Sequence, residues 1–192
     1  MKFKTYVLIA ASVLASAVSF DSFASDMSDK LQSSDYVLLM RHTRAPGVGD
    51  PANNTLSDCK SQRNLSAEGR AQAKTVGNWL RKQGIKKADV HSSAWCRCKD
   101  TAELLNFGEY KIEPSLASFF DEMHKAKERT QALQIFISEK IKVKGDKALI
   151  LVTHHVNIFE FMGENIASGD MVLAKVDAHG KMVSYKLIPR PD

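Results

Sequence analysis

The sequence is poor in cysteine, and its three cysteines do not form a metal-binding motif. Cys96 and Cys98 are separated by one residue, so the Cys-x-x-Cys spacing of a zinc knuckle is absent. The chain also lacks a basic run, because its 27 lysines and arginines, set against 22 acidic residues, are dispersed and give a net charge of only +5. Without a basic run, the sequence gives no indication of nucleic-acid binding. The net charge supports only a mild preference for anionic small molecules.

Long apolar runs are scarce, and the one notable run lies at the N-terminus. Lys2 and Lys4 precede an apolar stretch over residues 6–18, followed by the small residues Ser22 and Ala24 at the −3 and −1 positions of a cleavage site. This pattern predicts a bacterial secretory signal peptide over residues 1–24. The alternative is an uncleaved membrane anchor, but the run is short for a bilayer span. We therefore expect a soluble, periplasmic mature protein without a membrane span.

Export changes the interpretation of the cysteines. In an oxidising compartment they become candidates for a disulfide bond. Cys59 is expected to pair with either Cys96 or Cys98, which leaves one cysteine unpaired.

Residues 25–192 are expected to form one α/β domain, since no repeat or composition change divides them. Apolar runs predict buried strands at residues 36–40 and 148–152, with a shorter strand at 89–92 and a C-terminal β-hairpin over 171–188. Helical patterns lie between them, near residues 66–84, 98–105, 130–143 and after 157. This order predicts a mostly parallel sheet flanked by helices on both faces.

Polar, chemistry-bearing residues follow the predicted strands. Arg41, His42, Thr43 and Arg44 follow the first strand, and Thr153, His154 and His155 follow the strand at 148–152. The carboxyl ends of parallel strands meet at one edge of a sheet, so these residues are expected to converge there. A basic loop that merely caps the strand is the alternative.

Arg97 follows a third strand and completes a pattern suited to phosphate. Guanidinium groups match phosphate oxygens in charge and geometry. An imidazole nitrogen can attack phosphorus and carry the phosphoryl group covalently. The irregular stretch at residues 45–63 is expected to be a loop that walls this site.

Four segments together resemble the histidine phosphatase superfamily, whose fold is shared with cofactor-dependent phosphoglycerate mutases. They are LMRHTR, NLSAEGRAQA, HSSAWCRCKDTA and LILVTHH, in the family's order. The resemblance implies that His42 is the phosphohistidine nucleophile, that Arg41 and Arg97 bind phosphate, and that His154 is the second pocket histidine. Thr43 and His155 replace family glycines and should crowd the pocket edge, where we expect both, with Arg44, to contact substrate.

The general acid does not carry over from the family. Serine, at Ser118, stands where the family usually has a glutamate, and the His-Asp pair of the phytase-like branch is missing. We favour Asp121 as the acid, because Phe119 and Phe120 before it could desolvate its carboxyl group. Glu122 is the next candidate, and the alternative is an enzyme without a dedicated acid.

The sequence thus predicts an exported phosphomonoesterase that works through a phosphohistidine without metal or cofactor. Its partner would be a small phosphorylated substrate or a phosphoprotein, and not a nucleic acid. The alternative is a catalytically weak phospho-ligand-binding protein on the same fold.

Overall fold

The computed structural model describes residues 19–192, with side chains from Asp26 onward, so most of the predicted signal peptide lies outside the described residues. The helices are α1 (Ser19–Gln32), α2 (Ala67–Lys82), α3 (Cys96–Leu104), α4 (Ala126–Val143) and α5 (His155–Met162). The strands are β1 (Tyr36–Arg41), β2 (Ala88–Ser92), β3 (Tyr110–Ile112), β4 (Ala148–Thr153), β5 (Met171–Val176) and β6 (Met182–Ile188).

The strands form one mixed sheet in the order β3-β2-β4-β1-β5-β6. The first four in this order are parallel, and β5 and β6 extend the sheet in antiparallel fashion as the expected C-terminal hairpin. Register places Arg41 opposite Thr153 and Ser92 opposite Val152. The three central parallel strands therefore end at the same edge, as the sequence predicted.

Helices cover both faces of the sheet, which confirms the predicted α/β architecture. Alternate residues of β1 divide between two cores, with Leu38 and Met40 in one and Val37 and Leu39 in the other. The first core also contains buried residues of α1, α2 and α3, and the second those of α4 and α5. Burial on both faces explains why β1 and β4 read as continuous apolar runs.

The segment before β1, expected to be a loose lead-in or a short helix, is the well-packed end of α1. Met27 and Leu31 are fully buried in the first core. The Lys144 ammonium, also buried, donates to the Leu31 carbonyl at 2.7 Å and so caps the carboxyl end of this helix. Among residues 19–192 no helix is both long and apolar enough to cross a membrane.

The start of α2 packs directly on the chain that follows His42. Ser66 is the N-cap, and its hydroxyl accepts from the Gly69 amide at 3.0 Å. A Cβ at Gly69 would lie 2.0 Å from the Arg44 carbonyl oxygen, so only glycine permits this approach. The contact fixes the backbone just beyond the first strand end.

The sequence did not predict β3, which pairs with β2 over three residues at one end of the sheet. Its residues Lys111 and Ile112 are exposed, so the segment carries little of the burial pattern from which strands are recognised. The stretch between β3 and α4 is irregular and contains two short 3₁₀ turns.

Candidate active site

The ends of β1, β2 and β4 open into a cavity of about 480 Å³. It is bounded by polar and charged residues with a few aromatic ones: Arg41, His42, Gly47, Val48, Gly49, Asp50, Arg63, Trp95, Arg97, Ser118, Phe120, Asp121, Glu122, His154 and His155. The loop at residues 45–63 supplies one wall, as predicted from its position.

His42 is held in one tautomer by its own backbone. Its Nδ1 lies 2.8 Å from the Thr43 carbonyl oxygen, and since a carbonyl can only accept, Nδ1 carries the proton. The free lone pair is therefore on Nε2. Burial, reinforced by the nearby Arg97, Arg41 and Arg63, lowers the pKa of His42 to about 3, despite the opposing hydrogen bond to Thr43.

His154 has the opposite tautomer. The Arg97 Nη2 donates to its Nδ1 at 3.3 Å, so this nitrogen is unprotonated, and Nε2 donates to the Ser93 hydroxyl at 2.8 Å. Burial, followed by the Arg97 charge, lowers the pKa of His154 well below its usual value. The two imidazole rings lie edge to face with centroids 5.6 Å apart. The imidazoles of His42 and His154 are therefore both neutral at neutral pH.

Three guanidinium groups line the same cavity. Arg41 donates from Nη1 to the Ile166 carbonyl at 2.7 Å, and Arg63 donates from Nε to the Gly49 carbonyl at 2.7 Å. Among the described residues, the buried Nε atoms of Arg41 and Arg97 have no hydrogen-bond partner. An unpaired buried donor is costly, and a bound anion is the natural acceptor for it.

Asp50 contributes the buried carboxylate of the site. Its Oδ1 and Oδ2 accept from the Arg97 Nη1 at 2.9 and 3.0 Å, and Oδ1 also accepts from the Arg63 amide at 2.9 Å. The side chains of Asp50 and Arg97 are only 6% and 3% exposed. This pair joins the loop at residues 45–63 to the first turn of α3.

A disulfide between Cys59 and Cys96 makes a second link between the same two segments. It is one of the two pairings that the sequence left open, and Cys98 is the free cysteine. Cys98 is buried beside His154, with Sγ 3.5 Å from Nε2. Burial raises the pKa of its thiol to about 12, so it is unreactive at neutral pH.

The family model described as "Histidine phosphatase superfamily (branch 1)" matches residues 37–134, just over half of the chain. The match contains His42, the 45–63 loop and Arg97, whereas His154 lies beyond it. The chain belongs to the histidine phosphatase superfamily.

Solved structures of phosphatases share the fold of this histidine phosphatase superfamily member. The protein histidine phosphatase SixA, complexed with tungstate, is 20% identical with a TM-score of 0.56, over 81% of this chain and 97% of SixA. A mycobacterial glucosyl-3-phosphoglycerate phosphatase with bound VO3 is 13% identical with a TM-score of 0.59, and the match covers 82% of this chain and 100% of the phosphatase. A phosphoserine phosphatase from Entamoeba histolytica is 14% identical with a TM-score of 0.57, and the match covers 78% of this chain and 95% of that phosphatase. The comparison with curated proteins found no match.

The structure does not bring two of the expected substrate contacts to the cavity. Thr43 is fully buried, and its hydroxyl lies 3.1 Å from the Thr101 hydroxyl instead of crowding the pocket edge. Arg44 is exposed and pairs with Glu68 at 2.9 Å on the surface. His155, in contrast, lines the cavity with its ring 5.8 Å from that of Phe120.

The acidic segment lines the cavity, but it is not desolvated as expected. Phe119 turns into the protein and is 1% exposed, whereas Phe120 is 38% exposed and Asp121 is also exposed. The desolvation of the Asp121 carboxyl group that the sequence predicted is therefore not observed. Glu122 forms an ion pair with Lys125, which lowers the pKa of its carboxyl group and makes it a poorer acid.

Arg63, Asp50 and Trp95 are cavity residues to which the sequence reasoning assigned no role. Arg63 and Asp50 belong to the loop that was expected to wall the site, but the irregular sequence gave no basis for choosing them. Trp95 is half-buried, and its ring centroid lies 5.4 Å from that of His154. Over residues 19–192, His, Cys, Asp and Glu form no group of three or more that could hold a metal ion.

The low pKa of His42 predicts a dependence of stability on pH. In the unfolded chain a histidine has a pKa near 6.5, so between pH 6.5 and about 3 the unfolded state binds a proton that folded His42 does not. Stability is therefore lost as the pH falls through this window. Chemical denaturation at pH 7 and pH 5 gives the free energy of unfolding at each pH. The loss of this free energy from pH 7 to pH 5 should be about 2 kcal/mol smaller in His42→Asn than in wild type.

The exposed His124 provides the control for this measurement. His124→Asn should retain the wild-type difference between pH 7 and pH 5. An equal difference in wild type and His42→Asn would contradict the burial of a neutral His42.

Proposed function

We propose that this protein is an exported phosphomonoesterase that uses His42 as a phosphohistidine nucleophile. One observation carries the proposal: a buried imidazole with its lone pair on Nε2 shares a cavity with three guanidinium groups. Two of these groups, on Arg41 and Arg97, have unpaired buried Nε donors among the described residues. Such a site can bind a phosphate dianion and attack its phosphorus.

The reaction would proceed in two displacements. In the first, the Nε2 lone pair forms a P–N bond, the bond from phosphorus to the leaving oxygen breaks, and that oxygen acquires a proton. In the second, water attacks phosphorus and gives up a proton, while the P–N electron pair returns to Nε2 and inorganic phosphate leaves. Arg41, Arg63 and Arg97 would stabilise the equatorial oxygens during both steps.

His154 supports this role indirectly. Its Nδ1 already accepts from Arg97, so it would orient the Arg97 guanidinium in the phosphate site. His155 lies on the cavity wall with Phe120, and we propose that it contacts the part of the substrate beyond the phosphate. We propose that the substrate is a small phosphorylated molecule or a phosphoprotein.

A second candidate function is phospho-ligand binding with weak turnover. The observation that favours it is the exposure of Asp121 together with the ion pair of Glu122, which leaves the acidic segment of the cavity wall without a desolvated carboxylic acid. Turnover of p-nitrophenyl phosphate in the presence of EDTA separates the two functions. Binding of inorganic phosphate without turnover would favour the second.

The nucleophile can be tested by trapping the intermediate. Rapid quenching with a ³²P-labelled substrate should give acid-labile, base-stable labelling of the wild type, and His42→Ala should show none. Loss of a nucleophile should lower kcat by at least about 10³-fold. Activity of His42→Ala within tenfold of wild type would rule out the mechanism.

The role of Asp121 can be tested with two leaving groups. Asp121→Asn should slow an alkyl phosphate by roughly 10²–10⁴, because its alkoxide needs a proton. The same change should slow p-nitrophenyl phosphate far less, since nitrophenolate leaves unprotonated. Glu122→Gln is the matched comparison, and an equal, small effect of Asp121→Asn on both substrates would remove Asp121 from the mechanism.

Export can be tested by the mass of the cellular protein. We propose cleavage after Ala24, which would leave the packed part of α1, including Met27 and Leu31, in the mature chain. Periplasmic protein should begin at Ser25. A full-length cytoplasmic product would contradict this proposal, and the Cys59–Cys96 disulfide would then need another oxidant.

A further inference from the structure

We infer that Asp50 is a positioning residue, which orients the Arg97 guanidinium, holds the backbone of Arg63 and adjusts the charge of the cavity to that of a phosphate dianion. This inference rests on the proposed function. It assigns a role to a carboxylate that would otherwise be expected to repel the substrate, since it lies in the wall of an anion site.

The contacts of Asp50 join parts of the site that come from different segments. Both carboxylate oxygens accept from Arg97, on α3, and one also accepts from the backbone of Arg63, in the loop. Arg97 in turn donates to His154, which follows β4. Asp50 thus begins a chain of contacts that reaches the second imidazole and sets the direction of the Arg97 guanidinium.

The charges of the cavity support the same role. Arg41, Arg63 and Arg97 contribute three positive charges, and the imidazoles of His42 and His154 are neutral at pH 7. Asp50, with a side chain only 6% exposed, is the counter-charge held among them, whereas Asp121 at the rim is exposed to water. Asp121 is exposed to water and Glu122 is neutralised by Lys125, so the three guanidinium groups and the Asp50 carboxylate leave +2, which matches a phosphomonoester dianion.

Two opposite effects are therefore expected when the Asp50 charge is removed. The anion loses a repulsive neighbour, so inorganic phosphate should bind more tightly in the ground state. Arg97 loses the acceptor that fixes its direction, so the transition state should be stabilised less. A residue that only held the loop in place would instead weaken both binding and turnover.

The experiment compares wild type with Asp50→Asn, both oxidised and purified as the exported chain. Titration calorimetry with inorganic phosphate should give a dissociation constant about tenfold lower for the variant. Turnover of p-nitrophenyl phosphate should show kcat lower by about 10²-fold. Asp100→Asn is the matched control, because Asp100 lies on the same helix as Arg97 and pairs at the surface with Arg70 of α2, and the variant should match wild type in both assays.

A second variant keeps the test decisive if Asp50→Asn does not fold. Asp50→Glu retains the charge but moves it by one methylene, so phosphate affinity should stay near that of wild type while kcat falls. In a double-mutant cycle, Arg97→Lys should make the effect of Asp50→Asn on kcat much smaller, because Asp50 acts through Arg97.

The outcomes separate this inference from the proposed function. Parallel losses of affinity and kcat, or additive effects with Arg97→Lys, would overturn the positioning role while leaving the phosphatase in place. A wild-type protein that neither binds phosphate nor turns over p-nitrophenyl phosphate would overturn the proposed function, and this inference with it.

Discussion

Mutual repulsion of three guanidinium groups is the constraint on which the rest of the site depends. Arg41, Arg63 and Arg97 come from a strand end, a loop and a helix, and each is at least half-buried. Like charges this close destabilise a fold unless they are neutralised or held by strong contacts. Carbonyl oxygens hold Arg41 and Arg63, and a carboxylate holds Arg97. The three guanidinium groups are therefore held in place by the protein itself, which is the condition for electrostatic stabilisation of a transition state at the proposed phosphate site.

The disulfide between Cys59 and Cys96 also helps to hold these arginines in place. It closes 37 residues of sequence and ties the loop that carries Asp50 and Arg63 to the helix that carries Arg97. In the chain-entropy model a disulfide that closes a loop of this length raises the free energy of unfolding by about 4 kcal/mol. Since the loop has little regular structure, the disulfide and the Asp50–Arg97 pair together replace the packing that a helix or strand would supply. Reduction should therefore loosen the cavity wall before it affects the sheet.

The sequence was most informative where burial imposes a pattern. The strands β1 and β4 are buried on both faces, so their apolar runs and the polar residues beyond them predicted both the sheet and the placement of His42 and His154 at one edge. The exposed, three-residue β3 carries no such pattern and was missed. Arg63 and Asp50 were missed for a related reason: their positions depend on loop contacts and on the disulfide, neither of which leaves a periodic signal.

Thr43 shows why a motif residue can change without loss of the site. Position 43 was expected to crowd the cavity, because a family glycine has become threonine. Instead the Thr43 hydroxyl lies within hydrogen-bond distance of the Thr101 hydroxyl. The Thr101 hydroxyl also accepts a hydrogen bond from the Thr43 amide and donates one to the Arg97 carbonyl. Thr43, the residue after His42, is thereby joined to the helix that carries Arg97. The Thr43 carbonyl, fixed by the same contacts, is the atom that sets the tautomer of His42. Thr43 therefore does not obstruct the cavity, and it adds a hydrogen-bonded connection between the residue after His42 and α3.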